Sequence, residues 1–149
     1  MYIKCYRVKE GAKIPSRSNP SDAGLDVYAC LEEDVEILPS ESKLIPIGFK
    51  FGIPHGFMMQ AMNRSGIAAK RQLIVGAHVI DSGYNGEVFI NLQNIGLTPQ
   101  TIRSGDKISQ LVMIPVVHTN LIVSLEDNLY SDSITMSNRG EGALGSTGG

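Results

Sequence analysis

Sixteen glycines and seven prolines are spread along the whole of this 149-residue chain. They rule out long helices, because glycine and proline in a helix interior cost about 1 and 3 kcal/mol relative to alanine. What lies between them is a series of short apolar pieces. Ile3–Val8, Leu25–Cys30, Val35–Leu38, Lys43–Phe51, Phe57–Met62, Glu87–Gln93, Ile108–Val117 and Leu121–Leu125 are rich in Val, Ile, Phe and Tyr. Such residues suit a pleated, half-buried surface, so each piece is predicted as a strand. Turn residues separate them at Pro39-Ser40, Pro54-His55-Gly56, Asn85-Gly86 and Ser104-Gly105-Asp106. Asn85-Gly86 predicts a tight hairpin, since both residues tolerate positive φ. Only Ser65–Gln72 reads as helical, with Ser65 as its cap and good helix formers behind it. The pattern predicts an all-β fold, a compact barrel or sandwich with Greek-key or jelly-roll wiring.

The length fits one domain, and 42% apolar residues are enough for a core. Residues 1–130 are expected to form a β-barrel domain. Residues 131–149 are expected to form a flexible tail, since strand patterning stops there and Arg139–Gly149 holds five glycines in eleven residues. Thirteen basic against fifteen acidic residues give a net charge of −2, which argues against direct nucleic-acid binding. No apolar run approaches the ~18 residues of a membrane span. Charge interrupts the apolar N-terminus, so no signal peptide is expected. Two cysteines, Cys5 and Cys30, are too few for a disulfide scaffold or a cysteine-rich zinc site. A reduced, cytoplasmic setting is expected.

Five segments carry candidate chemistry. Asp22-Ala23-Gly24-Leu25-Asp26 sets two acids at the mouth of a strand. It suits a metal or an arginine, and equally a plain strand-entry turn. Asn63-Arg64-Ser65-Gly66 opens the short helix, where amides, a guanidinium and a hydroxyl suit an oxyanion. A capped helix with a surface arginine is the alternative. In Gly76–Glu87, a rigid hairpin can offer backbone groups to a flat ring while Tyr84 covers a sugar and Asp81 acts on a water. Its plainer reading has Asp81 capping a turn and His78 filling space. Gly105–Leu111 is an ordinary turn into a strand, from which Gln110 can reach a phosphate. Gly140–Thr147 nearly spells a phosphate-binding loop, but Ser146 stands where the lysine belongs and no helix can follow. Its amides, arginine and hydroxyls still suit a phosphate chain.

In order and content these five segments resemble the motifs of the trimeric deoxyuridine triphosphatase (dUTP pyrophosphatase) family, from about Ser21 to Gly148. Arg64-Ser65-Gly66-Ile67-Ala68-Ala69-Lys70 and Val75-Gly76-Ala77-His78-Val79-Ile80-Asp81 look especially typical. The resemblance implies a jelly-roll-like β-barrel assembled as a homotrimer, with active sites between subunits and each tail closing a neighbour's site. It implies Mg²⁺-dependent hydrolysis of dUTP to dUMP and pyrophosphate, which limits uracil in DNA and supplies dUMP. By similarity, Asp81 orients and deprotonates the water that attacks the α-phosphorus. Arg64, Ser65, Gly66 and Gln110 hold phosphates. His78, Val79 and Ile80 belong to the hairpin that reads uracil, Tyr84 packs on the deoxyribose, and Phe89 lies where a further backbone contact is made. Asp26 supports the metal indirectly, through water. Arg139, Ser146 and Thr147 clamp the γ-phosphate, Gly145 belongs to the same substrate-binding tail, and Leu144 covers the base. A triphosphate with Mg²⁺ needs charge stabilisation, positioning and a water-orienting base, without a covalent nucleophile.

Four positions depart from the family pattern. Family tails usually carry Gly-Phe at Ala143-Leu144. Family hairpins commonly have glycine at His78 and a second acid at Gly83. The hairpin changes lean toward the related dCTP deaminases, and so toward a deaminase or a bifunctional enzyme. The catalytic glutamate of that reaction falls at Asn91, however, and those enzymes lack a tail like Arg139–Gly148. A dUTP-sensing trimer that signals to a protein partner with little turnover is the non-enzymatic alternative.

Overall fold

The computed structural model describes residues 1–131, 137 and 139–144. Among them are eleven strands and one α-helix. The strands are β1 (Cys5–Arg7), β2 (Leu25–Tyr28), β3 (Val35–Ile37), β4 (Ser42–Pro46), β5 (Phe49–Phe51), β6 (Phe57–Met62), β7 (Leu73–Val75), β8 (Val79–Ile80), β9 (Phe89–Asn94), β10 (Gln100–Ile102) and β11 (Lys107–Pro115). The helix α1 spans Ser65–Arg71, between β6 and β7. The fold is the expected all-β, jelly-roll-like barrel. The chain divides into two compact units, Met1–Val117 and His118–Gly149.

In the first unit all strand pairings are antiparallel. One sheet runs β2-β11-β6-β8, another β4-β9-β7, and β1-β5 and β10-β3 form two-stranded ribbons. The core is aliphatic: Val27, Ile37, Ile45, Ile47, Leu73, Ile90, Leu92, Ile102, Ile108 and Leu111 are all essentially inaccessible, with Phe49 and Met59 among them. Burying one such side chain contributes roughly 1.5–3 kcal/mol, which supplies the driving force. β9 shows the alternation behind it: Ile90, Leu92 and Asn94 point inward while Phe89, Asn91 and Gln93 point outward. Asn94 is tolerated in the core because its amide donates to Ile37 O at 2.9 Å and Thr98 O at 2.8 Å.

Several sequence expectations are corrected. Lys43–Phe51 is two strands, because the chain turns at Ile47-Gly48, with Gly48 at φ 74°. The short strands β7, β8 and β10 were not anticipated; each has two or three residues, too few for a period-2 pattern to register. Leu121–Leu125 forms no strand. It finds no pairing partner among the described residues, and Leu121, Ile122 and Val123 are almost fully exposed. Apolar patterning alone does not make a strand when the backbone has no ladder to join. A 3₁₀ turn follows at Glu126–Asn128.

Candidate active site

The first candidate cleft is built by three elements distant in sequence. β2 carries Asp26, and β11 carries Gln110 directly opposite it in the antiparallel register. A bulge between Lys107 and Ser109 resets that register, so that Ile108 and Ser109 are buried in succession and Gln110 comes opposite Asp26. β6 ends beside Gln110 at Met62 and leads into Asn63-Arg64. That connection is pinned twice: Asn63 Oδ1 accepts the Val75 amide at 2.7 Å, and Asn63 O accepts from Gln110 Nε2 at 2.9 Å.

Arg64 Nε then lies 3.1 Å from Asp26 Oδ1. Lys107 Nζ lies 3.2 Å from Asp26 Oδ2, and Ser18 Oγ donates to the same oxygen at 3.2 Å. The Asp26 carboxylate is thus shared between two cations, Arg64 and Lys107. Arg64 spends only its Nε–H on Asp26, so its terminal N–H groups remain for a ligand. The cleft has a volume of about 450 Å³ and is lined by Asp26, Arg64, Ser65, Gly66 and Gln110, with Ser18 and Asp22 at its wall.

Ser65 is not the helix cap. It is the first helical residue; Arg64 holds the cap position with extended backbone, and no side chain caps the helix. The Ser65 and Gly66 amides therefore have no acceptor within the helix. These two residues and the Arg64 guanidinium border one cleft, a donor set whose chemistry suits an anion.

The second cleft is smaller, about 200 Å³, and almost contiguous in sequence. Ala77, His78, Val79, Ile80, Asp81, Tyr84, Val88 and Phe89 line it, together with Ala61 of β6. β8 pairs with β6 through Met59↔Ile80 and Gln60↔Val79, and the Ala61 amide donates to His78 O at 2.9 Å. β8 is the last strand of its sheet, so its outer edge presents backbone donors and acceptors that join no further strand among the described residues. A planar base with a hydrogen-bonding edge fits such an array.

The tight turn here is Asp81–Tyr84, closed by the Tyr84 amide on Asp81 O at 3.2 Å with Gly83 at φ 83°. The expected hairpin at Asn85-Gly86 is absent: neither residue has positive φ, and β8 and β9 belong to different sheets. Gly83 takes the left-handed position because it has no Cβ to obstruct it. Ser82 Oγ donates to Ile53 O at 2.9 Å and fixes the turn to the barrel.

Asp81 is exposed at this cleft, and its carboxylate has no hydrogen bond or ion pair among the described residues. His78 does not fill space. It is exposed, and its Nδ1 lies 3.0 Å from Gly76 O. Asn91 does not line the cleft.

The structure thus gathers Asp26, Arg64, Ser65, Gly66 and Gln110 in one cleft and His78, Val79, Ile80, Asp81, Tyr84 and Phe89 in another. The two share no lining residue. Arg139 and Leu144 belong to the second unit. There Arg139 Nε donates to Gly142 O at 2.6 Å, closing a small turn, and Leu144 is fully exposed. Gly145, Ser146 and Thr147 lie outside the described residues. Sequence reasoning missed Lys107 and Ser18 as partners of Asp26. A register placing the start of β11 beside β2 would have pointed to Lys107.

A family model described as dUTPase matches residues 10–148. The chain belongs to the dUTPase family. Among its curated relatives, the deoxyuridine 5'-triphosphate nucleotidohydrolase of Desulfotalea psychrophila is 39% identical, over 95% of this chain and 91% of that protein. The Chlamydia pneumoniae protein of the same name is 36% identical over 99% of both chains. Among solved structures, a variant dUTPase of Staphylococcus bacteriophage 80alpha, determined with dUpNHpp, superposes with a TM-score of 0.83. It has 26% identity, over 99% of this chain and 98% of that one. A variant dUTPase from phage phi11 of S. aureus, whose structure details coordination of a structural Mg(II) ion, gives a TM-score of 0.78. Its identity is 26%, over 85% of this chain and 98% of that one. The family is one of hydrolases, and no helix among the described residues of this dUTPase relative is long and apolar enough to cross a membrane.

Proposed function

We propose that this protein hydrolyses dUTP to dUMP and pyrophosphate, as a homotrimer whose active sites form between subunits. The observation that carries the reading is the separation of the two clefts. A nucleoside triphosphate needs an anion site and a base-and-sugar site, and two clefts that share no lining residue suit those two tasks. Supplied by different subunits, the two surfaces make one site.

In this mechanism the edge of β8 reads uracil and Tyr84 packs on the deoxyribose. The terminal guanidinium N–H groups of Arg64, the Ser65 and Gly66 amides and the Gln110 amide hold phosphate oxygens. Asp81, free of competing partners, accepts a proton from the water that attacks the α-phosphorus. Pyrophosphate leaves with the broken P–O bond's electrons, its charge offset by the same donors. Residues from Ser131 onward close the site, with Arg139, Gly145, Ser146 and Thr147 on the γ-phosphate and Leu144 over the base.

The residues fit Mg²⁺ held mainly by substrate. No group of three or more metal-ligating side chains occurs among the described residues. Three of the four acceptor sites of Asp26 are engaged by Arg64, Lys107 and Ser18, leaving one for a metal-bound water. When bound, the ion neutralises charge on the triphosphate.

Pyrophosphate release from dUTP by the purified protein tests the reading. Turnover of dUTP is expected, while dCTP should give no uracil product because Asn91 offers no carboxylate. Absence of turnover with dUTP bound would instead favour a sensing trimer; uracil product from dCTP would favour a deaminase.

A further inference from the structure

Tyr84 is nearly half exposed, and a ring so placed is free to rotate unless something holds it. Its hydroxyl donates to the backbone carbonyl of Glu87 at 2.9 Å. That carbonyl is itself anchored. Glu87 Oε1 accepts the Gly48 amide at 3.1 Å and lies 3.7 Å from Lys9 Nζ. The next residue is tied through both backbone groups: the Val88 amide donates to Phe49 O at 2.9 Å, and Val88 O accepts the Ile47 amide at 3.2 Å.

Gly86 lies between Tyr84 and this anchor. A Cβ placed there would fall against the Tyr84 hydroxyl oxygen, 2.6 Å from Cζ and 3.1 Å from Cε2. Gly86 has no left-handed backbone, so alanine's own conformation is acceptable there. The nearest atoms in its way all belong to the Tyr84 side chain.

We infer that Gly86 and the Glu87 carbonyl form a brace that sets the Tyr84 ring and so fixes the discrimination between 2′-deoxyribo- and ribonucleotides. The inference rests on the proposed packing of Tyr84 against the deoxyribose. Rejecting a 2′-hydroxyl by contact needs a wall that does not yield, and a half-exposed tyrosine becomes one only when both its face and its hydroxyl are held. Gly86 and Glu87 are positioning residues acting through Tyr84.

The test is kcat/KM for dUTP and for UTP in the full-length protein, in Gly86→Ala, in Tyr84→Phe and in the double variant. The brace predicts that the dUTP:UTP ratio falls about tenfold or more in Gly86→Ala and about threefold in Tyr84→Phe. It further predicts no additional fall in the double variant, because a displaced ring has no hydroxyl contact left to lose. A purely structural role would lower both substrates together and leave the ratio unmoved. An unchanged ratio in both single variants overturns the brace. Should Gly86→Ala fail to fold, an unchanged ratio in Tyr84→Phe overturns it alone. A wild-type protein that turns over UTP as well as dUTP overturns the sugar packing itself, a result distinct from a selective wild type whose ratio the variants do not move.

Discussion

The two clefts are organised by different physics. The anion cleft is held by charge: Asp26 fixes Arg64 at 3.1 Å and Lys107 at 3.2 Å, and side chains from β2, the β6–α1 connection and β11 converge on it. The hairpin pocket is held by backbone. A strand edge, the turn Asp81–Tyr84 and the Tyr84–Glu87 contact shape it, and every lining residue except Ala61 falls within thirteen positions, Ala77 to Phe89. A guanidinium with free terminal N–H groups suits a highly charged ligand whose oxygens are alike, where attraction matters more than exact shape. Fixed amides and carbonyls suit a base and a sugar, where one misplaced group leaves a buried donor or acceptor unpaired. In the proposed function, holding the substrate is thereby separated from reading it.

The sharpest way to break this comparison is at Asp81, the one member of the hairpin pocket assigned to chemistry. Asp81→Asn keeps size and removes the proton acceptor, so kcat should fall by roughly 10²–10⁴ with dUTP affinity largely retained. Turnover within a few-fold of wild type, measured by pyrophosphate release, would take the base role away from Asp81. Next is Arg64→Ala, which removes the guanidinium while leaving Asp26 paired with Lys107. It should lower kcat/KM by roughly 10²–10³. Steady-state kinetics showing only a two- or threefold loss would mean the phosphates bind elsewhere.

The same contrast explains what was legible in the sequence. The hairpin pocket could be read because its residues are neighbours along the chain: Asp81 and Tyr84 stand out in one run, and the family resemblance adds Phe89 just beyond it. Even so, its turn was placed at Asn85-Gly86, because an Asn-Gly pair is the stronger local signal. In the fold Gly83 takes the positive φ, and Gly86 is left to accommodate a ring. The anion cleft was legible only in pieces. Asp26, Arg64 and Gln110 stood out, yet nothing along the chain says that Asp26 and Gln110 face each other, since that depends on a bulge in β11. For the same reason Lys107 did not stand out. Leu121–Leu125 shows the reverse failure, a convincing strand pattern with no ladder to join among the described residues.

A smaller effect sharpens the account at the tail. Leucine covers a base by apolar contact but offers no ring face, and aromatic pairing is worth about 0.5–1.5 kcal/mol beyond burial. Leu144→Phe should therefore shift KM for dUTP by no more than about tenfold. Complete loss of activity in that variant would mean the tail docks differently from the way proposed.

The central claim, that the two clefts of different subunits make one site, is most directly tested by mixing two inactive proteins. One carries Arg64→Ala with Asp81 intact; the other carries Asp81→Asn with Arg64 intact. After co-unfolding and refolding at equal amounts, with mixed trimers verified by native mass spectrometry, dUTP hydrolysis should return. In a closed ring about one quarter of the sites would pair an intact Arg64 with a neighbour's intact Asp81. Verified mixed trimers with no recovered activity would contradict the claim, and would place both clefts of each working site in a single chain.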